Sequence, residues 1–347
     1  MTSRQRLLAA LRCQPVDRVP VAPFGFGRVD PDGEMGRRLL RETDLLVPVG
    51  SGFGWLGPEA ESEQIVEGDV TTTILHTPKG DLRHRVKRTA FTSAPIEYFC
   101  KNAQDVERWL SIPFTPREPT FERYHDWVQR AGEEALVMGD LPNGVCLPAA
   151  YMSPEDFCLM WADAPDLLRE FTAEGNRRLI PFVEKCSQAG IPAFRIVGGE
   201  YVTVQLGPRA VDELLTPFDT ELISVIHRHG GLTYYHNHGP IMRWLGPLAD
   251  LGTDALEPVE APPWGDCDLA EAQRRIGGRV CLVGNLDDME IIDRLPAAEV
   301  KRIARERLQA AGARGFILGG TASGTYTERA AANFIEMVRV AEEFGAG

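Results

Sequence analysis

The amino-acid sequence predicts an α/β fold, a single (β/α)8 TIM barrel spanning residues 1–347. Short, nearly continuous apolar segments alternate with helix-patterned ones, the signature of a parallel sheet covered on both faces. Eight apolar segments are present, the number that closes a barrel. Polar residues able to do chemistry fall at the C-terminal ends of several of them, where barrel enzymes build their sites. An open doubly wound sheet is the competing reading, but no GxGxxG follows the first strand.

The opening MTSRQRLLAALRCQP has helical periodicity, and Arg12 follows its short apolar run at once, so it reads as a helix and not as a signal peptide. VPVAPFGF (19–26) is the first strand, a helix covers 34–43, and LLVPVG (45–50) is the second strand. Residues 60–100 alternate apolar and polar side chains around the turn PKGD, which predicts a β-hairpin inserted beside the barrel mouth. Helices near 103–111 and 119–131 lead into six more strands: ALVMGDLP (135–142), PAFRIVGGE (192–200), LTYYHNHG (232–239), ALEPVE (255–260), VCLVGNLD (280–287) and GFILGGTA (315–322). Helical patterns separate them at 154–188 (two helices), 209–229, 241–250, 268–276 and 297–312, and 328–344 closes the chain. No linker, internal repeat or low-complexity tract divides the domain.

The net charge of −13 disfavours nucleic acid and anionic membrane as partners. No apolar run approaches the roughly 18 residues a bilayer span needs. The seven cysteines (13, 100, 146, 158, 186, 267 and 281) are scattered and include no CxxC pair, which predicts a reduced, cytoplasmic protein.

The strongest chemical signal is Tyr234-Tyr235-His236-Asn237-His238-Gly239. Strand alternation sends His236 and His238 the same way, so both can meet one ion or one ligand at the strand end. Zinc takes imidazole nitrogens at about 2.0–2.1 Å. The bland alternative is that each ring hydrogen-bonds a neighbouring backbone. Glu200 ends PAFRIVGGE, and a carboxylate buried at a barrel mouth needs a metal, an arginine or a substrate. Of Glu257 and Glu260, in ALEPVE, one faces the cavity. Asp140 and Asn285 end two further strands, though either can serve as a helix or turn cap. The glycine-rich run 319–325 lacks a Walker lysine and reads as a βα loop.

Several segments, taken in order, resemble the uroporphyrinogen decarboxylase superfamily: RQRLLAALRCQPVDRVPVAPF, HNHG followed by a helix and LGTDALEPVE, VGNLD, and ILGGTASGT before a final helix carrying Asn333. The resemblance covers essentially the whole chain and implies a (β/α)8 barrel. Its porphyrinogen-decarboxylating members carry an arginine-rich MRQAGR motif. The matching PFGFGRVDPDGE keeps only Arg28, which argues against that substrate. Its cobamide-dependent methyltransferases hold zinc with a His-x-Cys pair and a later cysteine. Here His236-Asn237-His238 and Ser323 stand at those positions, without thiolates.

A His/His/carboxylate set suits harder zinc chemistry on an oxygen atom. The resemblance therefore implies a metal-dependent methyltransferase. It would move a methyl group between a small, methoxylated or similar substrate and a corrinoid (cobalamin) carried by a partner protein. His236, His238 and Glu200 would hold zinc, with Glu257 joining them as a catalytic residue. Asp140, Tyr201, Tyr235, Asn285 and Ser323 would shape the substrate site. A homodimer is implied as well. A metal-independent decarboxylase or lyase of a small acid is the runner-up, and a non-catalytic scaffold barrel the third reading.

Overall fold

A computed structural model describes residues 1–321 and 325–345. Its first strand, β1 (Val21–Ala22), is followed by the helix Glu34–Glu42 and then β2 (Leu45–Val49). After an insertion, the strand–helix alternation resumes with β7 (Ala135–Pro142), β8 (Ala193–Val197), β9 (Leu232–His236), β10 (Ala255–Glu257), β11 (Cys281–Asn285) and β12 (Phe316–Gly319). The eight strands form one parallel sheet in the order β1-β12-β11-β10-β9-β8-β7-β2. A parallel bridge from Phe24 to Leu46 brings the two outermost strands together and closes the barrel.

Period-two alternation sorts the strand side chains. Ala22, Leu46, Leu136, Met138, Ala193, Leu232, Tyr234, Ala255, Cys281, Val283 and Ile317 fill the interior. Their neighbours, among them Val47, Val137, Phe194, Tyr235, Leu256 and Leu282, pack outward into the larger core shared with the helices. The N-terminal helix Ser3–Leu11 adds Leu7, Ala10 and Leu11 to the inner cluster. It starts with a capping box, in which the Gln5 amide donates to Thr2 Oγ1 and the Thr2 amide donates to Gln5 Oε1. The long helical pattern over 154–188 forms the helices Pro154–Asp163 and Pro165–Gln188, broken where Pro165 cannot continue the first.

The insertion is larger than the predicted hairpin. β4 (Val70–Leu75) and β5 (Leu82–Arg88) form that hairpin around the PKGD turn. β3 (Ser62–Glu67) and β6 (Ser93–Glu97) pair on its flanks, giving a four-stranded antiparallel meander. The outer strands were hard to read because they are exposed on both faces, so no buried face imposes apolar alternation. The meander leaves from the C-terminal end of β2, the end at which the polar strand termini gather. It touches the main core through Leu75 and Leu82. No helix among the described residues is long and apolar enough to cross a membrane.

Candidate active site at the barrel mouth

β9 and β10 run in parallel register with His236 directly beside Glu257. Both side chains share the parity of the inward-facing Tyr234 and Ala255, and so meet inside the mouth. His236 Nδ1 lies 2.5 Å from Glu257 Oε2, and both residues are buried. Three residues beyond, Glu260 contacts His238 Nδ1 at 3.1 Å and accepts the Gly239 amide at 2.7 Å. The two imidazoles meet edge to face with ring centroids 4.5 Å apart. ALEPVE thus supplies a carboxylate to each histidine, where the sequence reading placed only one of them in the cavity.

A carboxylate on Nδ1 fixes the ring and leaves Nε2 for chemistry. Among the described residues neither Nε2 has a hydrogen-bond partner. The Glu260 hydrogen bond raises the His238 pKa above its ordinary value against the opposing effect of burial, with Glu257 and Glu200 adding attraction. His238 is therefore held toward its imidazolium form at the edge of an open cavity.

Glu200 is not a strand residue. β8 ends at Val197, and Glu200 begins the one-turn helix Glu200–Thr203. Gly198 turns the chain with φ +120°, a conformation natural only to glycine. A Cβ on Gly199 would lie 2.4 Å from Asn237 Oδ1, so this loop rests directly on β9. Asn237 Oδ1 also accepts a hydrogen bond from Thr203 at 3.0 Å, tying the loop to the histidine strand. Glu200 and His238 together line a cavity of about 450 Å³, with Tyr201, Glu260, Trp264 and Asp287. Glu200 Oε2 is buried and has no hydrogen-bond partner among the described residues. A neighbouring pocket of about 370 Å³ shares Glu260, Trp264 and Asp287 and is lined by Asn285, Pro262, Pro263 and Ile291.

The predicted zinc set does not assemble. Among the described residues no three His, Cys, Asp or Glu side chains come together so as to hold an ion. The carboxylates on Nδ1 leave one nitrogen, Nε2, of each ring for an ion, and among the described residues Glu200 does not join the two rings as a third donor. Two imidazoles without a third donor among the described residues fall short of the ligand set that the resemblance implies.

Tyr235 is also placed differently from the substrate-shaping role predicted for it. The alternation that turns His236 inward turns Tyr235 toward the helix Thr216–Arg228, where its hydroxyl donates to Asp219 at 2.5 Å. Asn143 donates to the same oxygen at 3.0 Å. Burial raises the Asp219 carboxyl to about 7, only partly offset by these hydrogen bonds. Asn285 faces the pocket, and its amide donates to the Val259 carbonyl. Asp140 accepts from Arg195 at 3.3 Å. Ser323 lies outside the described residues.

Sequence reading passed over Arg195, which occupies an inward position of β8 beside Asp140 and Tyr234. Its guanidinium lies 4.6 Å from the Phe24 ring centroid, and its buried Nε has no partner among the described residues. Alternation from Ala193, an inward residue of the same strand, was the signal that could have found it. Trp264 was passed over too. It belongs to the loop after β10, it is 59% exposed, and no periodicity marks it.

The uroporphyrinogen decarboxylase (URO-D) family profile matches residues 97–344. The chain belongs to this family. Over 45 residues it is 51% identical to the uroporphyrinogen decarboxylase of Edwardsiella ictaluri (strain 93-146), a stretch covering 13% of this chain and 11% of that protein. Over 44 residues it is 50% identical to that of Pseudomonas fluorescens (strain SBW25), with the same coverage. The match therefore spans about a tenth of those relatives' length. Among solved structures, a methyltransferase from Methanosarcina mazei superposes over 99% of both chains with a TM-score of 0.67 at 18% identity, a likeness of fold. This URO-D family member thus has the family's barrel, with two carboxylate-held histidines at its mouth.

Proposed function

We propose that this URO-D family protein is a methyltransferase that takes a methyl group from a small donor and passes it to a corrinoid carried by a partner protein. The supporting observation is the charge of the mouth. Glu200, Glu260 and Asp287 line the larger of the two mouth cavities, with His238 as the single basic side chain among its described lining residues. Such a wall repels a carboxylate-bearing substrate, the kind a decarboxylase must admit, and suits a neutral or cationic methyl donor.

His238 is the proton donor in this reading. As the methyl group leaves, the electron pair of its bond stays on the donor heteroatom. His238, charged with the help of Glu260, gives that atom a proton from Nε2. His236, locked by Glu257, fixes the position of its neighbour through the edge-to-face ring contact. The test incubates the purified chain with a reduced corrinoid protein and a panel of methylated donors, following the corrinoid's visible spectrum. Methyl transfer that His238→Ala abolishes is the expected result. No transfer from any donor would overturn the reading.

Decarboxylation of a small acid is the second reading, and Arg195 favours it. A half-buried guanidinium whose buried Nε has no partner among the described residues, and which makes one long contact to Asp140, is able to take a substrate carboxylate. Release of CO2 by the chain alone, lost in Arg195→Met, would decide for it.

A further inference from the structure

We infer that the methyl donor is an onium cation, a small molecule carrying a methylated quaternary ammonium group, bound between Trp264, Tyr201 and the carboxylates of Glu200, Glu260 and Asp287. The inference rests on the methyl-transfer reading and narrows it to a substrate class.

The wall of the cavity is built from the two kinds of group that recognise such an ion. A quaternary ammonium has no N–H to donate. It is held by the faces of aromatic rings and by unfocused attraction to nearby carboxylates. Trp264 is a large apolar side chain left 59% exposed, and it borders both mouth pockets. Tyr201 stands on the short helix after β8 and lines the same cavity. Among the carboxylates, Glu260 has both oxygens engaged, one by His238 and one by the Gly239 amide. Asp287 caps the next turn by accepting the Met289 and Glu290 amides. Glu200 is different, because its Oε2 is buried and has no partner among the described residues, although its residue lines an open cavity. A buried carboxylate oxygen without a donor is costly, and a cation seated in the cavity would relieve that cost without needing a hydrogen bond. The volume of about 450 Å³ suits a ligand of this size.

The chemistry balances with the acceptor already named. The C–N bond breaks, the methyl group goes to the nucleophilic corrinoid, and the electron pair stays on nitrogen. The resulting tertiary amine then takes the His238 proton.

The test measures binding alone, by titration calorimetry and by quenching of tryptophan fluorescence, with no corrinoid protein present. The probes are choline, tetramethylammonium and the carbon isostere of choline in which a tert-butyl group replaces trimethylammonium. Choline should bind at least about tenfold more tightly than the neutral isostere. Trp264→Ala and Glu200→Gln should each remove about tenfold of that affinity, while Trp264→Phe keeps most of it. Trp264 is largely exposed, so its replacement leaves folding intact, and Glu200→Gln preserves shape. Equal binding of choline and its isostere, or no binding of either, would overturn the inference. The two claims fail separately. Onium binding without methyl transfer would leave this inference standing and remove the methyltransferase reading. Demethylation of methoxylated donors without onium binding would do the reverse.

Discussion

Glu260 does two things for His238: it holds the ring through Nδ1 and it favours the charged imidazolium. The sign of the resulting pH dependence follows. A raised histidine pKa keeps the proton on Nε2 below that pKa and loses it as pH rises through it, so activity should fall on the alkaline side. Replacing Glu260 with Gln removes the main raising influence, and the alkaline limb of kcat/KM should move to lower pH. An unmoved limb would show that another group delivers the proton. The stabilisation from the pair follows the same direction, complete below the unfolded histidine value and lost above the folded one. Single residues also show where legibility ends. His236 and His238 were visible because two imidazoles at one strand end are a local signal. Arg195 and Trp264 were not, because a charged residue inside a barrel and an aromatic on a loop acquire meaning only from what surrounds them.

The pairing of β9 with β10 and the loop after β8 place the chemistry at the level of elements. The direct opposition of His236 and Glu257 is a matter of register, which strand-forming propensity does not encode. The loop after β8 depends on the absence of a side chain at position 199, where a Cβ would press on Asn237 and on Tyr235. Gly199→Ala should push this loop off β9, cost about 1–3 kcal/mol of stability as overpacking does, and weaken ligand binding in the cavity. Denaturant unfolding and calorimetry on the same variant would check both effects. A variant with wild-type affinity would separate the loop from the site. The strands of the barrel were readable from apolar periodicity, and each predicted strand contains the observed one, which is often shorter because the chain turns into a loop at the barrel mouth. The outer strands of the meander were not, since they bury no face.

In the whole molecule, the ends of the barrel divide the labour. At the bottom, Asp44 is fully buried just before β2 and gathers Arg6 of the N-terminal helix at 2.5 Å, Arg18 at 2.6 Å and the Val21 amide at 2.9 Å. One carboxylate thus ties the N-terminal helix and β1 to the start of β2, next to the seam where the barrel closes. Asp44→Ala takes the carboxylate from the half-buried Arg18 and leaves the buried Arg6 with Asp17 alone, and should cost about 3 kcal/mol. The mouth lies at the opposite end of the strands, so the affinity of the folded variant for a cavity ligand should be unchanged. A large loss of affinity with little loss of stability would contradict that separation.

The sequence by itself determined the barrel, its strand order along the chain, the outward turn of every second residue and the family to which the chain is similar. These follow from local periodicity and short motifs, which survive without knowledge of distant contacts. Only the tertiary structure decided which carboxylate meets which histidine, that Glu200 stands in the cavity wall without joining a triad of ligands, and that the mouth combines acid with exposed aromatic surface. Those outcomes depend on parallel register and on loops meeting across the barrel end, where residues tens of positions apart come within a few ångströms.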